Sequence, residues 1–575
     1  MGLKRLCSFA AGSALLFFTG VLNAAPQLRL AATTLGPVSI AQGANGGTQT
    51  IEAGNAGDSQ LSVSVSSSAS WIAASVGAQR SCITMQGTQC FPVNLTLNTS
   101  ALPAGLTTGI VTVTAPNAID APQTITVTVQ IGGALAKDVH INIGQGKSAD
   151  FKFYTNKFLD LTKTKSSATW LSVVLDGVGS FTFGVPYHLH VAAASNMPLG
   201  DYNATASLAG SADPIDNRQI GVFIHVTDQP AAALSTDKLT QRLAQGAPPL
   251  AAFVGLNNLG LGTLKVSDVQ VSNAAWLKAT AAGSGAALTF DVTGLSPGAY
   301  NGSISFTSNS VSSVDPLPVE LTVVAQGPPL IPFNGVVDNA IFGAGDALTP
   351  GDIGVILGEQ FSFSPLTVGK AAPLATGIGG TQVLVNGSPA PLYYTSYGQI
   401  AFQVPFGLTP LKDATVQVVR NGQPGNTVSV KIAPRAPRVL LVGVGAYGAI
   451  VNQDGSLPMP EGSFPGVLTH PAKPGDTLTI YAIGLGATSP GVLTGDPAPS
   501  TEPLSRVTAT PVVNLFNTGS TSVTATPLFS GLTPTYAGLY QVNVTIPSNA
   551  PRGSNVNLTL GFTDAISNAA QIAIQ

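Results

Sequence analysis

Five histidines occur in the 575-residue sequence, and four of them, His140, His188, His190 and His225, fall in one stretch. His188 and His190 form a His-x-His in PYHLHV. On a strand, alternate residues face the same side, so one ion could meet both rings. With a third histidine, for which His225 is the candidate, the set could hold zinc or copper. An internal repeat argues against it. PVNLTL at 92–97 aligns with PYHLHV at 186–191, so the two histidines stand where Asn94 and Thr96 stand. Those are outward polar positions of an amphipathic strand. The reading is a solvent-facing strand; no metal is assigned, and His188, His190 and His225 are kept as candidates.

Other chemistry is sparse. A serine hydrolase needs Gly-x-Ser-x-Gly on a strand-to-helix turn. The nearest segment, ATSPG at 487–491, lacks the first glycine and any helix signal after it. Glycosidases need two carboxylates facing each other in a cleft. The 27 acids are scattered, mostly in turns such as Asp352 and Asp476 after Pro-Gly. Both are expected to close their turns through side-chain bonds to the backbone. NQDGS offers Asn452, Asp454 and Ser456 at alternate positions, but a calcium loop needs more acids and a distant Glu. Asp454-Gly455 reads as a hairpin turn. Asp213 and Asp216 in SADPID hint only weakly at calcium. No glycine-rich loop precedes a helix, so no phosphate cradle is expected. Lys137, Lys147, Lys152, Lys157, Lys163 and Lys165 form a basic run. It could meet an acidic polysaccharide, and its plain reading is a solvated face. No catalytic residue and no cofactor is assigned.

Aromatic residues are the remaining candidates for recognition. Trp71, Trp170 and Trp276 stand in SSASWIA, SSATWLS and SNAAWLK, 99 and 106 residues apart. Three residues in one structural place read as buried core anchors, with a sugar-stacking platform as the alternative. Tyr393, Tyr394 and Tyr397 crowd LYYTSYGQ, and Tyr536 and Tyr540 take the matching place further on. Tyrosines at a loop rim can stack on sugars or on a protein partner.

The elements that must carry these residues are strands. TITVTVQI at 124–131 and LPVELTVV at 317–324 alternate apolar and polar residues, and Gly, Pro, Asn and Asp punctuate. Sustained helical periodicity is almost absent. Many short strands with turn signals read as β-sandwiches. The tryptophan period near 100 residues is one sandwich per repeat. After each Trp comes a Pro-Gly type turn and an alternating strand pair: LPAGLTTGIVTVTA, MPLGDYNATASLA and LSPGAYNGSISFT. Asn55 with Leu61 and Asn258 with Leu264 repeat upstream. Beyond the stiff QGPPLIPF the character changes. TPGDIGVILG pairs with KPGDTLTIYAIGLG, and GQIAFQVPFG with GLYQVNVTIP, so this region reads as a duplicated pair.

Charged residues are only 9% and apolar residues 44%, with 64 Gly and 42 Pro lacking any collagen period. That excludes a charge-driven disordered chain, a coiled coil and a basic nucleic-acid binder. Residues 1–24 read as a secretory leader: Lys4 and Arg5, a short apolar run, then Leu22-Asn23-Ala24. Cys7 lies too early for a lipoprotein cysteine. Without Lys4 and Arg5 the 24 basic residues become 22 against 27 acids, a balance of −5 that selects no partner class. No later run is long enough for a membrane helix. Cys82 and Cys90 in CITMQGTQC are expected to form a local disulfide in an oxidising compartment, contributing about 2 kcal/mol.

The tryptophan units resemble the BACON-type immunoglobulin-like domain over about 26–327. That resemblance implies carbohydrate binding or a plain spacer role. The segments NGVVDNA, TPGDIGVILG, GIGGTQVLVNGSPAPLYYTSYGQIAFQVP, AIVNQDGS, HPAKPGDTLTIYAIGLG and AGLYQVNVTIP occur in order. They resemble the C-terminal domain family of secreted proteins from Solibacter-type acidobacteria. GGTQVLVNGSPAPL is similar to an IPT/TIG sandwich. The resemblance implies an exported bacterial protein and no catalytic residue. The expected fold is all-β, about five immunoglobulin-like sandwiches at 25–132, 133–229, 230–327, 328–434 and 435–575, strung as an extended rod. The expected function is non-enzymatic binding of polysaccharide or a cell-envelope component, extracellular, at the cell surface or in the periplasm. The alternative is a spacer without a small ligand, and an unrecognised hydrolase comes last.

Overall fold

Alternation decides where each strand buries itself. In Cys90–Leu97, Val93, Leu95 and Leu97 are fully buried, while Asn94 and Thr96 point outward. In Gln123–Ile131, Ile125, Val127, Val129 and Ile131 are fully buried. Each such strand closes one sheet over another, which is the sandwich solution. The computed structural model describes residues 25–86, 89–133, 135, 138–178, 184–443 and 445–575. The expected leader and Lys137 lie outside them. Among the described residues the one helical element is the short turn Pro214–Asp216. The chain is all-β, built of tandem immunoglobulin-like sandwiches.

The first sandwich pairs a sheet ordered Leu28–Leu30, Gln49–Asn55, Cys90–Leu97, Ile72–Val76 with one ordered Thr34–Ile40, Gln123–Ile131, Gly105–Thr114, Ser64–Ser67. Thr34–Ile40 runs parallel to Gln123–Ile131, and the other pairs are antiparallel. The third sandwich repeats this order from Ala232–Leu234 to Leu317–Val324. Among the described residues, the second shows the same order without the first edge strand. This is the immunoglobulin arrangement of two Greek-key sheets.

The shared motifs have shared bonds. Asn55 accepts from Gln27 N and Gly57 N and donates to Ser59 O. Asn258 does the same with Ala231 N, Gly260 N and Gly262 O. The glycines are required: a Cβ on Gly57 or Gly260 would lie 2.1 Å from the carbonyl oxygen of Ala25 or Gln229. Tyr202 and Tyr300 donate back to Pro198 O and Ser296 O at 3.0 and 2.8 Å, the tyrosine corner of such sandwiches.

Cys82 and Cys90 are disulfide-bonded. The loop they close wraps Glu52, which is 2% exposed and accepts from Ile83 N, Thr84 N and Thr84 Oγ1 at 2.7–3.0 Å, with Arg80 at 2.9 Å. Burial pushes its carboxyl up, but hydrogen bonds from Thr84, Ile83 and Met85 outweigh it and hold the group at about 2.

Two further sandwiches follow. One pairs a five-stranded sheet from Val336–Asp338 to Thr367–Val368 with a four-stranded sheet whose edge is Gln423–Val430. The last contains Thr477–Ile483 and Tyr540–Thr545 at the centre of its larger sheet. Neighbours dock through side chains: Gln130 brackets the backbone of Tyr154, Asn142 reaches Ser312, Arg242 pairs with Glu359, and Gln403 accepts from Gly495 N.

The row is not the extended rod its composition suggests. The first sandwich returns to the fourth. Asp120 is fully buried there. Its N–H donates to Thr427 O at 2.9 Å, and its carboxylate accepts from Ser429 N at 2.6 Å, Ser429 Oγ at 2.8 Å and Gln27 Nε2 at 2.9 Å. Arg29 pairs with the same carboxylate and lies over the Phe333 ring. Asn426 donates to Ala121 O at 3.1 Å. The contact covers the exposed edge Gln423–Val430, which would otherwise invite pairing with another chain. Sequence patterns see neighbours along the chain, and this contact spans about 300 residues. Asp120→Gly removes the carboxylate while tolerating its φ of 63°. Breaking one side of a buried ion pair costs about 3–5 kcal/mol. The variant is expected to show a larger radius of gyration by small-angle X-ray scattering; an unchanged profile would sink the idea that Asp120 holds this contact.

Candidate functional site

The three tryptophans occupy one place. Each sits at the turn entering a strand, where Ile72, Leu171 and Leu277 donate to Ala69 O, Ala168 O and Ala274 O. Each Trp carbonyl accepts from the neighbouring segment, at Asn98, Ala192 and Asp291. Trp71 and Trp276 are 9% and 7% exposed. Their indoles are core, with no face free for a sugar. Trp170 is half-buried against its core.

The tyrosines divide. Tyr397 is buried and joins the core of the third sandwich, where its hydroxyl accepts from Ala244 N at 2.7 Å. Burial pushes its phenol up to about 12. It is a pin between sandwiches, not a loop-rim residue. Tyr540 is fully buried and donates to Gly486 O at 2.6 Å. Tyr393, Tyr394 and Tyr536, by contrast, line one open cleft of about 850 Å³ between the fourth and fifth sandwiches. Val368, Lys370 and Pro499 are among the other residues of its walls. Tyr393 donates to Ala537 O at 2.6 Å, which fixes its ring across the junction, and burial raises its phenol. The Tyr394 hydroxyl accepts from Gln399 Nε2 at 2.7 Å. Tyr536 is 57% exposed and presents its ring to solvent. Clefts of this size with aromatic walls and a few polar groups are the usual form of ligand sites. The tyrosine clusters were visible in the sequence. Their convergence was not, because it depends on how two sandwiches dock.

The histidines also divide. His188 and His190 lie outward on Val185–Ala192, whose Val185, Tyr187, Leu189 and Val191 are buried. His225 lies in the opposite sheet of that sandwich, with its Nδ1 2.6 Å from Asp201. It is not a third ligand for the pair. The group beside them is Asp150, directly across from His190 on Ser148–Thr155. His225 instead lines a polar cleft of about 690 Å³ with Asp201, Asp237 and Asp315, where His140 and Phe223 stack 4.6 Å apart. The lysines spread out: Lys152 and Lys165 stand on opposite sheets, and Lys163 pairs with Asp160.

The fifth histidine, His470, went unread in the sequence. Its Nε2 lies 2.9 Å from both Ser456 Oγ and Asp454 Oδ2, and its Nδ1 lies 3.1 Å from Pro471 O. A hydrolytic relay needs carboxylate and serine on opposite ring nitrogens. Here both share one nitrogen, and Ser456 is fully buried. The trio closes the turn. Asn452 donates to Ser456 Oγ and Asp454 accepts from Ser456 N, so the candidate calcium donors bond one another. Hydrogen bonding to Asp454 raises the His470 pKa. Asp213 caps the turn Pro214–Asp216, and buried Asp216 accepts from Asn156 N and Lys157 N. Asp352 and Asp476 accept from Thr349 N and Lys473 N, closing their turns as the sequence implies.

No family model and no curated protein matches the chain. Among solved structures it is similar to a three-immunoglobulin-domain fragment of titin, 11% identical, over 52% of this chain and 99% of that one, with a TM-score of 0.14. The extracellular cadherin domains 1–5 of protocadherin gamma B2 are 11% identical over 90% and 93%, with a TM-score of 0.15. The immunoglobulin domains 1–4 of Sidekick-1 are 12% identical over 71% and 99%, also with a TM-score of 0.15.

Proposed function

We propose that the chain is an exported, non-enzymatic binding protein of the cell exterior, and that the cleft between its fourth and fifth sandwiches takes a polysaccharide or another cell-envelope glycan. One observation carries this reading: Tyr393, Tyr394 and Tyr536 converge on a single open cleft. Flat aromatic rings bury the apolar faces of sugar rings, while phenol and lysine groups reach their hydroxyls. The Cys82–Cys90 disulfide supports an oxidising compartment. The resemblance to BACON-type domains over about 26–327 fits carbohydrate binding or a spacer, and the resemblance to Solibacter-type domains fits an exported protein. The buried Trp71 and Trp276 favour a second reading, a spacer without a ligand.

The test is binding of the chain from Ala25 onward to soluble glycans and insoluble polysaccharides, beside a folded Tyr394→Ala/Tyr536→Ala variant. Saturable binding by the parent is expected. An aromatic anchor contributes about 2 kcal/mol or more, so the variant should bind roughly thirtyfold more weakly. Equal binding by both proteins removes the cleft from the proposal. No binding across the panel favours the spacer.

A further inference from the structure

We propose that Asp150, His188 and His190 form a binding site for a late first-row divalent metal ion, zinc being the probe of choice. The inference starts from register. His188 and His190 are two residues apart on one strand and face one way. Antiparallel pairing sets Asp150 opposite His190 and Lys152 opposite His188. Ser172 and Val174 stand across from His190 and His188 on the other side. Two paired strands therefore present one imidazole pair and one carboxylate, and a third strand flanks them, so the set stands on a rigid sheet, not on a loop.

Asp150 Oδ1 lies 2.7 Å from His190 Nδ1 and 3.7 Å from His188 Nε2. One donor atom from each of the three residues lies within 4.8 Å of the others. Bonds of about 2.0–2.2 Å to a tetrahedral ion place donors roughly 3.3–3.6 Å apart. Small rotations of exposed side chains cover the difference. The donor set, two imidazoles and one carboxylate, suits zinc or copper(II) better than calcium or magnesium.

A fourth residue makes this more than a surface cluster. The other nitrogen of His188, Nδ1, lies 2.6 Å from the Asp176 carboxylate. In the tautomer with its proton on Nδ1, His188 donates to that carboxylate and turns its Nε2 lone pair toward Asp150 and His190. Metal-ligating histidines are held by carboxylates in this way. The His188 side chain is 17% exposed and Asp150 is 52% exposed. One side of the site is thus packed, and the other is open for water or an added ligand. Lys152 is exposed, and its long stem lets the ammonium move away from an arriving cation. The Asp201–His225 pair is a built-in control: one imidazole, one carboxylate and, among the described residues, no third donor close enough to share an ion with them.

The experiment is calorimetric titration of untagged, chelator-treated chain with zinc chloride. One saturable zinc per chain is expected. His188→Ala/His190→Ala should abolish it, and His225→Ala should leave it unchanged. Asp176→Asn, which keeps all three ligands, should weaken it by about 10–100-fold. All four positions face outward, so circular dichroism and melting in chelator should match the parent. No saturable uptake by the parent overturns the proposal. So does zinc retained by the double histidine variant. Full affinity in Asp176→Asn removes the supporting role of that carboxylate and with it the argument for a built site.

Discussion

Trp276→Ala is expected to destabilise the third sandwich by about 3–5 kcal/mol, the usual cost of deleting a buried large aromatic. The indole stacks on Phe290 with centroids 6.0 Å apart and sits among Leu277, Leu288 and Ile304. Removing it leaves a cavity bounded by strands already fixed in register, so the site cannot collapse. Trp170→Ala is the informative contrast. Its half-buried ring loses less area, and the expected cost is roughly 1–2 kcal/mol. A tandem protein does not unfold in one step, so the readout must be local. Native-state hydrogen exchange along Gly285–Phe290 and along Val185–Ala192 provides it. Equal losses in the two variants would refute the burial argument.

Asp352→Asn is expected to stabilise the fourth sandwich, and by more at pH 8.5 than at pH 4. Asp352 is 1% exposed at the turn before Ile353–Leu357, and its carboxylate accepts from Ile353 N at 2.8 Å. Burial pushes its carboxyl up to about 8; the nearby Asp338 adds to this, and the backbone N–H groups and Arg438 offset only part. The folded chain therefore keeps this proton until about pH 8, while the unfolded chain releases it near 3.8. Between those values the folded state binds more protons, so stability falls as pH rises, and the loss is complete above the folded pKa. The separation sets a scale on the order of a few kcal/mol. Asn carries no charge at any pH, so the variant's curve loses this slope. Native-state hydrogen exchange along Ile353–Leu357, compared between the two proteins at each pH, decides it. A difference that fails to grow with pH would show that Asp352 is charged in the fold.

The sandwiches were legible because burial leaves a period-two imprint, as in Ile125, Val127, Val129 and Ile131. The repeated asparagines were legible as motifs, and their three bonds each explain why they recur. His188 and His190 were legible as an outward pair. Their partner Asp150 was not, because it sits 40 residues away on a strand whose register no local pattern shows. Reading Asp150 as a cross-strand neighbour required knowing that Ser148–Thr155 pairs with Val185–Ala192. Tyr397 failed for a related reason. Its neighbours Tyr393 and Tyr394 share its loop-rim signature, but it is swallowed by the adjoining sandwich through Ala244. Contacts between sandwiches leave no periodicity, and the tyrosine cleft is made of such contacts.

The return of the first sandwich to the fourth also redirects mechanical load. Pulling between the first and fifth sandwiches sends force across Asp120 and Ser429 directly into the fourth. While that contact holds, it shares the load with the path through the second and third. Once it yields, those two sandwiches take the whole load and add their length to the loaded path. The Asp120 contact is therefore a mechanical fuse, and the two sandwiches between are its stored length.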